Sequence, residues 1–76
     1  MALIYNMEEA KYHTIIAKNI RDLRTSAKIS QEKLAENLGC SREFVSRLEN
    51  NREKISLNML LKVAEYFDIS PSQLFS

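Results

Sequence analysis

The sequence predicts an all-α fold of five short helices, and three observations predict it. Four serines, Ser30, Ser41, Ser56 and Ser70, each stand just before a segment whose apolar residues recur at three- and four-residue spacing. A serine placed there accepts a hydrogen bond from an otherwise unpaired amide of the first helical turn. The 76 residues include one Gly and one Pro, too few for a turn-rich β fold or a flexible linker. Between the serines, Ala, Leu, Glu, Lys, Gln and Arg dominate, the residues that lose least on entering a helix.

The elements follow in order. Tyr12, Ile16, Ile20, Leu23 and Ala27 form one apolar stripe on a first helix that ends near Lys28. After Ser30, a short stripe of Leu34, Ala35 and Leu38 stops at Gly39. After Ser41, Val45 and Leu48 repeat the pattern. After Ser56, Leu60, Leu61, Val63, Ala64 and Phe67 give a strongly apolar helix. Ser70, with Pro71 next and Gln73 three residues on, reads as a capping box that starts about one more turn through Leu74 and Phe75. The main domain is therefore expected over residues 13–76. Residues 1–12 read less clearly. Asn6 with Glu9 is a second candidate capping box, which would extend the first helix back to Met7. A loose arm, or a short strand pairing across a dimer, fits equally well.

Composition excludes several function classes. A chain this short buries only about 60% of its extended surface, so its core is small. A single cysteine, Cys40, can form no intrachain disulfide and leaves a cysteine-based metal site without partners. Cys40 is expected as a small buried hydrophobe, and His13, with no ligand-spaced companion, as a surface residue. No catalytic set, metal site, cofactor motif or phosphate-binding glycine loop is visible, so an enzyme is not expected. Apolar runs reach only three or four residues and the N-terminus lacks a signal-peptide pattern, so a cytoplasmic location is expected. The 11 Lys and Arg nearly balance the 10 Asp and Glu, for a net charge of +1. Affinity for nucleic acid cannot be argued from that total, only from where the basic residues fall.

Residues 31–50 are the informative segment. Two short helices here meet across a turn of three or four residues, and a steep crossing makes two demands. The turn needs a residue at ease with positive φ, and the chain's only glycine, Gly39, stands there. The helices must approach closely, and Ala35 is small enough to let them. Leu34, Leu38, Cys40, Val45 and Leu48 then fill the angle. The run Ser30-Gln31-Glu32-Lys33-Leu34-Ala35, followed by Gly39, Ser41, Val45-Ser46 and Glu49-Asn50, resembles the helix-turn-helix of the Cro and phage-repressor family, also called the Xre family. The resemblance extends outward to Ile20–Arg24 and to Ser56–Phe75, covering roughly residues 14–75.

The resemblance implies a compact lambda-repressor-like DNA-binding domain in which residues 42–50 form the recognition helix, lying in the major groove. On that reading Arg42, Glu43 and Arg47 touch base edges, with Ser46 nearby and Phe44 placed to meet a thymine methyl. Arg suits guanine O6 and N7, and Glu accepts from cytosine N4. Gln31, Ser41, Asn50 and Arg52 would hold phosphates, which fix register rather than sequence. Arg24 and Glu49 would form a structural ion pair between the first helix and the recognition helix. The plainer alternative is a solvated face, with Glu43 and Arg47 as an i,i+4 pair. Glu32, Glu36 and Glu53 would oppose phosphate, and most of them are expected to face away from it.

By the same resemblance, a two-fold homodimer would read palindromic half-sites ~34 Å apart. Phe67, Ile69, Leu74 and Phe75 are the expected dimer surface, with Leu3, Ile4, Tyr5 and Met7 as a second contact. No small-molecule ligand is expected. A repressor from a phage, mobile element or restriction-modification control system fits best. An antitoxin or anti-repressor that uses the fold to bind a protein is the competing class.

Overall fold

The computed structural model describes residues 7–76. Among them the elements are α1 (Met7–Ser26), α2 (Gln31–Leu38), α3 (Arg42–Glu49), α4 (Leu57–Tyr66) and a 3-10 helix (Pro71–Phe75). The fold is all-α, with no strand among the described residues. The expected fifth helix is thus a 3-10 turn: Pro71 offers no amide, and so short a run closes through i→i+3 bonds. α1 runs unbroken from Met7, while Leu3, Ile4, Tyr5 and Asn6, with the contacts expected of them, lie outside the described residues.

Each serine cap is in place. The Oγ atoms of Ser30, Ser41 and Ser56 accept from the amides of Lys33 (2.9 Å), Phe44 (3.0 Å) and Met59 (3.1 Å). At Ser70 the Gln73 side chain accepts from the Ser70 amide at 2.8 Å, completing the capping box. The C-termini share a second device. Lys28, Gly39, Asn51 and Asp68 all adopt positive φ, between 56° and 74°. In each case the next amide donates back across the last turn: Ile29 to Arg24 O, Cys40 to Ala35 O, Arg52 to Arg47 O and Ile69 to Ala64 O. α1 therefore stops at Ser26, slightly short of the expected end near Lys28, because Lys28 has left helical geometry.

The core is one cluster of Ile16, Ile20, Leu34, Ala35, Leu38, Val45, Leu48, Leu60, Val63, Ala64 and Leu74. α2 and α3 pack on each other, α1 backs α3, and α4 closes against α2. Asn19 of α1 donates from Nδ2 to Leu74 O at 2.9 Å and to Ser76 O at 3.1 Å, tying the C-terminal turn to α1. The stripes differ from expectation at their margins. Tyr12 and Leu61 are exposed at the edges of their stripes, and Ala27 is exposed in the turn past the end of α1. His13 is largely covered rather than a surface residue, with Nε2 3.6 Å from the Glu9 carboxylate. Among the described residues, no helix is long and apolar enough to cross a membrane.

Candidate nucleic-acid interface

The position of α3 is set by a buried carboxylate. The Glu49 side chain is 0% exposed. Its Oε2 accepts from Arg24 Nε at 2.6 Å, and its Oε1 accepts from Arg24 Nη2 at 3.1 Å and from Gln31 Nε2 at 3.0 Å. Arg24 Nη1 donates in turn to Ile29 O at 2.8 Å. One acid so joins α1, the start of α2 and the end of α3, and its charge is compensated within the fold. The hydrogen bond with Glu49 is the largest cause that holds the Arg24 guanidinium more firmly protonated than usual, against the opposing effect of burial.

With Val45, Leu48 and Glu49 turned inward, α3 presents Arg42, Glu43 and Arg47 outward, with Ser46 half-buried between them. The electrostatic pairing on this face differs from the one the sequence suggested. Glu43 lies 3.7 Å from Arg42, and Arg47 donates from Nε to Glu53 Oε1 at 3.0 Å instead of pairing with Glu43. Glu53 therefore turns back toward α3. Phe44 is half-buried against the core, and its ring lies 5.8 Å from the Arg47 guanidinium carbon, a cation–π distance.

The expected phosphate contacts flank this face. Ser41 caps α3. Asn50 follows it, donating to Ser46 O at 2.8 Å and accepting from Arg21 Nη2 at 3.2 Å. Arg52 is exposed beyond Asn51, whose side chain donates to Thr14 Oγ1 at 2.9 Å. Gln31 has one amide hydrogen engaged by Glu49 and keeps a second. Sequence reasoning assigned no role to Arg21, and read Glu53 only as an acid that would oppose phosphate. Arg21 was within reach of it, since it stands three residues before Arg24 on the same side of α1. Glu53 was not, because only the closed turn after α3 brings it to Arg47.

The expected dimer surface is divided. Leu74 is 0% exposed and belongs to the core, where it cannot meet a partner. Phe67 and Ile69 are half-buried against that core, while Phe75 is exposed and packs edge-on to Tyr12 at 5.8 Å between ring centroids. Beside them lies an open apolar groove of about 510 Å³ bordered by Tyr12, Ile16, Ile55, Leu57, Leu60 and Phe75.

Known proteins share this fold. The family model of helix-turn-helix proteins matches residues 20–74. The crystal structure of the restriction-modification controller protein C.AhdI from Aeromonas hydrophila superposes with a TM-score of 0.81 at 34% identity, over 92% of this chain and 100% of that one. That of the hypothetical transcription factor NHTF from Neisseria gives 0.81 at 30% identity, over 100% of this chain and 85% of that one. Control protein C.SmaI from Serratia marcescens is 31% identical over 62 residues, 82% of this chain and 74% of its own length. Other relatives are longer. The match spans 63% of a hypothetical transcription factor from Neisseria meningitidis serogroup B and 12% of the propionyl-CoA carboxylase regulator of Cereibacter sphaeroides. This chain belongs to the Cro/C1-type helix-turn-helix family of DNA-binding transcription regulators.

Proposed function

We propose that the protein is a sequence-specific repressor that binds a palindromic operator as a homodimer, in the manner of a restriction-modification control protein, and acts in the cytoplasm where that operator lies. The observation that carries this reading is the fixed presentation of Arg42, Glu43 and Arg47 on a helix whose inner face is held by the Glu49 node. Such a face serves hydrogen bonding to base edges, with Ser46 beside it and Phe44 supporting it. Ser41, Asn50, Arg52 and the second amide hydrogen of Gln31 serve phosphates on either side. Arg21 joins this set through Asn50. The relatives that are control proteins support the choice of system.

The dimer is proposed to form through Phe75, Tyr12 and the outer residues of α4, with Phe67 and Ile69 as further half-buried candidates. Leu57 is 72% exposed, and Leu61, one turn later, is exposed as well. Large apolar residues so exposed support an association surface, and a two-fold contact there would give one dimer two recognition helices.

Selection from a random duplex library at physiological salt tests the reading. A palindrome with half-sites about ten base pairs apart, altered by Arg42→Ala or Arg47→Ala, is expected. Affinity for it should fall steeply with salt, in proportion to the phosphates neutralised. A folded protein that enriches no motif and shows a shallow salt slope would instead be a protein-binding module.

A further inference from the structure

Glu53 lies outside the recognition helix, yet its carboxylate reaches into the helix's outer face. The turn that brings it there is closed by the Arg52 amide donating to Arg47 O at 2.8 Å, with Asn51 at φ 60°. It is also tied to α1 on both sides of Glu53, by Asn51 Nδ2 to Thr14 Oγ1 at 2.9 Å and Lys54 Nζ to Glu9 Oε2 at 3.5 Å. The carboxylate is thus carried on an anchored segment, and it accepts from Arg47 Nε at 3.0 Å.

The choice of nitrogen matters. A guanidinium has an inner Nε and two outer nitrogens, Nη1 and Nη2, in one plane. Glu53 engages the inner one, while the Arg47 side chain stays 49% exposed. Phe44, one turn earlier, lies under the guanidinium at a cation–π distance, which favours that placement. A long side chain that would otherwise sample many rotamers is thereby aimed, with its outer pair free to meet guanine O6 and N7 together. The same carboxylate carries a cost for any DNA, since it adds a negative charge beside the phosphates. An element that weakens all complexes while sharpening one raises discrimination.

We propose that Glu53 is a specificity-determining positioning residue, holding Arg47 by Nε so that its outer nitrogens read one guanine in each half-site. The proposal rests on α3 being the base-reading helix. The test is selection from a random duplex library with the wild-type protein, Arg42→Ala, Arg47→Ala, Glu53→Ala, Glu53→Gln and the Arg47→Ala/Glu53→Ala double variant, each confirmed folded by its thermal melt. Arg47→Ala should abolish preference at one symmetric pair of positions. Glu53→Ala should weaken preference at that same pair by roughly tenfold, leave the other positions intact and raise affinity for random duplex. Glu53→Gln, which keeps the accepting oxygen, should retain most of the preference, and the double variant should match Arg47→Ala in its motif. If Glu53→Ala strengthens binding to every sequence alike while the motif is unchanged, Glu53 merely competes with DNA for Arg47 and the proposal is overturned. If Arg47→Ala leaves a motif that Arg42→Ala still alters, α3 reads without Arg47 and the proposal alone is overturned; if neither variant alters it, the assignment of α3 fails first and takes the proposal with it.

Discussion

Arg24 on α1 and Glu49 on α3 meet through two hydrogen bonds, of 2.6 and 3.1 Å, around a carboxylate that solvent does not reach. An acid so placed contributes orientation more than net stability, because removing two charges from water offsets much of their attraction. Breaking the pair is another matter. Glu49→Ala leaves Arg24 and Gln31 without their acceptor and should destabilise the fold by about 3–5 kcal/mol, measured as a shift of the urea midpoint. Replacing both partners, Arg24→Met with Glu49→Leu, should recover much of that loss. The Arg24 pKa is raised by folding, so its share of stability is complete below the unfolded arginine value and is lost only as pH rises through the still higher folded one. The Glu49→Ala loss attributable to Arg24 should therefore be constant across neutral pH. A midpoint that Glu49→Ala leaves unmoved would show that α3 is held by its apolar contacts alone.

The helix C-termini give a prediction of opposite signs. Gly39 sits at φ 74°, and a Cβ built there meets no atom within 4 Å. Gly39→Ala is then a test of backbone strain without a clash, and should cost about 1 kcal/mol. Gly39→Asn should cost less, since Asn tolerates this region. Lys28 occupies the matching place after α1 at φ 60° with a full side chain. Lys28→Gly should relieve that strain and raise stability by up to ~1 kcal/mol, the gain being reduced by the freedom glycine has when unfolded. Chemical denaturation of the three variants decides it, and equal effects of one sign at Gly39 and Lys28 would refute the argument.

These caps also explain what the sequence made legible. Helix starts could be read because serine both accepts the orphan amide and is recognisable at Ser30, Ser41, Ser56 and Ser70. A positive-φ helix stop stood out at Gly39, whereas Asn51 and Asp68 belong to types that tolerate a positive φ without requiring it, and Lys28 belongs to neither group. The inward faces of α2 and α3 were legible from Leu34, Leu38, Val45 and Leu48. The edges of α1 and α4 were not, because spacing shows that Tyr12 and Leu61 share an apolar side but not how far the neighbouring element extends over it. The site followed the same division. Arg24, Glu49, Arg42 and Arg47 were picked out by position in the motif, whereas the Arg47–Glu53 and Arg21–Asn50 contacts depend on turns and on packing between helices.

Cys40 follows Gly39 in the turn between α2 and α3, half-buried against the core. Burial pushes its thiol pKa up, outweighing the opposite effect of the Lys62 charge. The folded chain thus holds the thiol neutral at pH values where an unstructured cysteine begins to ionise. Since the thiolate is the reactive form, Cys40 should react with a disulfide reagent more slowly than a cysteine peptide near pH 8, and urea should abolish the difference. By linkage, the stability tied to this raised pKa is complete below the unfolded thiol value and falls away as pH rises through the folded one. Equal rates for the folded and unfolded chain would mean that the turn leaves the sulfur open.

The apolar residues of the C-terminal half fall into two groups that mutation should separate. Leu74 is fully buried, and Leu74→Ala should cost about 2–5 kcal/mol through lost contacts and the cavity left behind. Leu57 and Leu61 are exposed on α4, so aspartate at both should change the stability of the dilute monomer by only about 0.5 kcal/mol. If they carry the proposed self-association, the same pair of changes should weaken it strongly, because burying two uncompensated carboxylates in a two-fold contact sets like charges against each other. Sedimentation velocity over a concentration series, beside thermal melts of the same samples, reads both quantities. Self-association unaltered by Leu57→Asp and Leu61→Asp would move the dimer contact away from α4. A wild-type chain that stays monomeric throughout would leave the operator to be read by single domains, and palindromic selection would then fail as well.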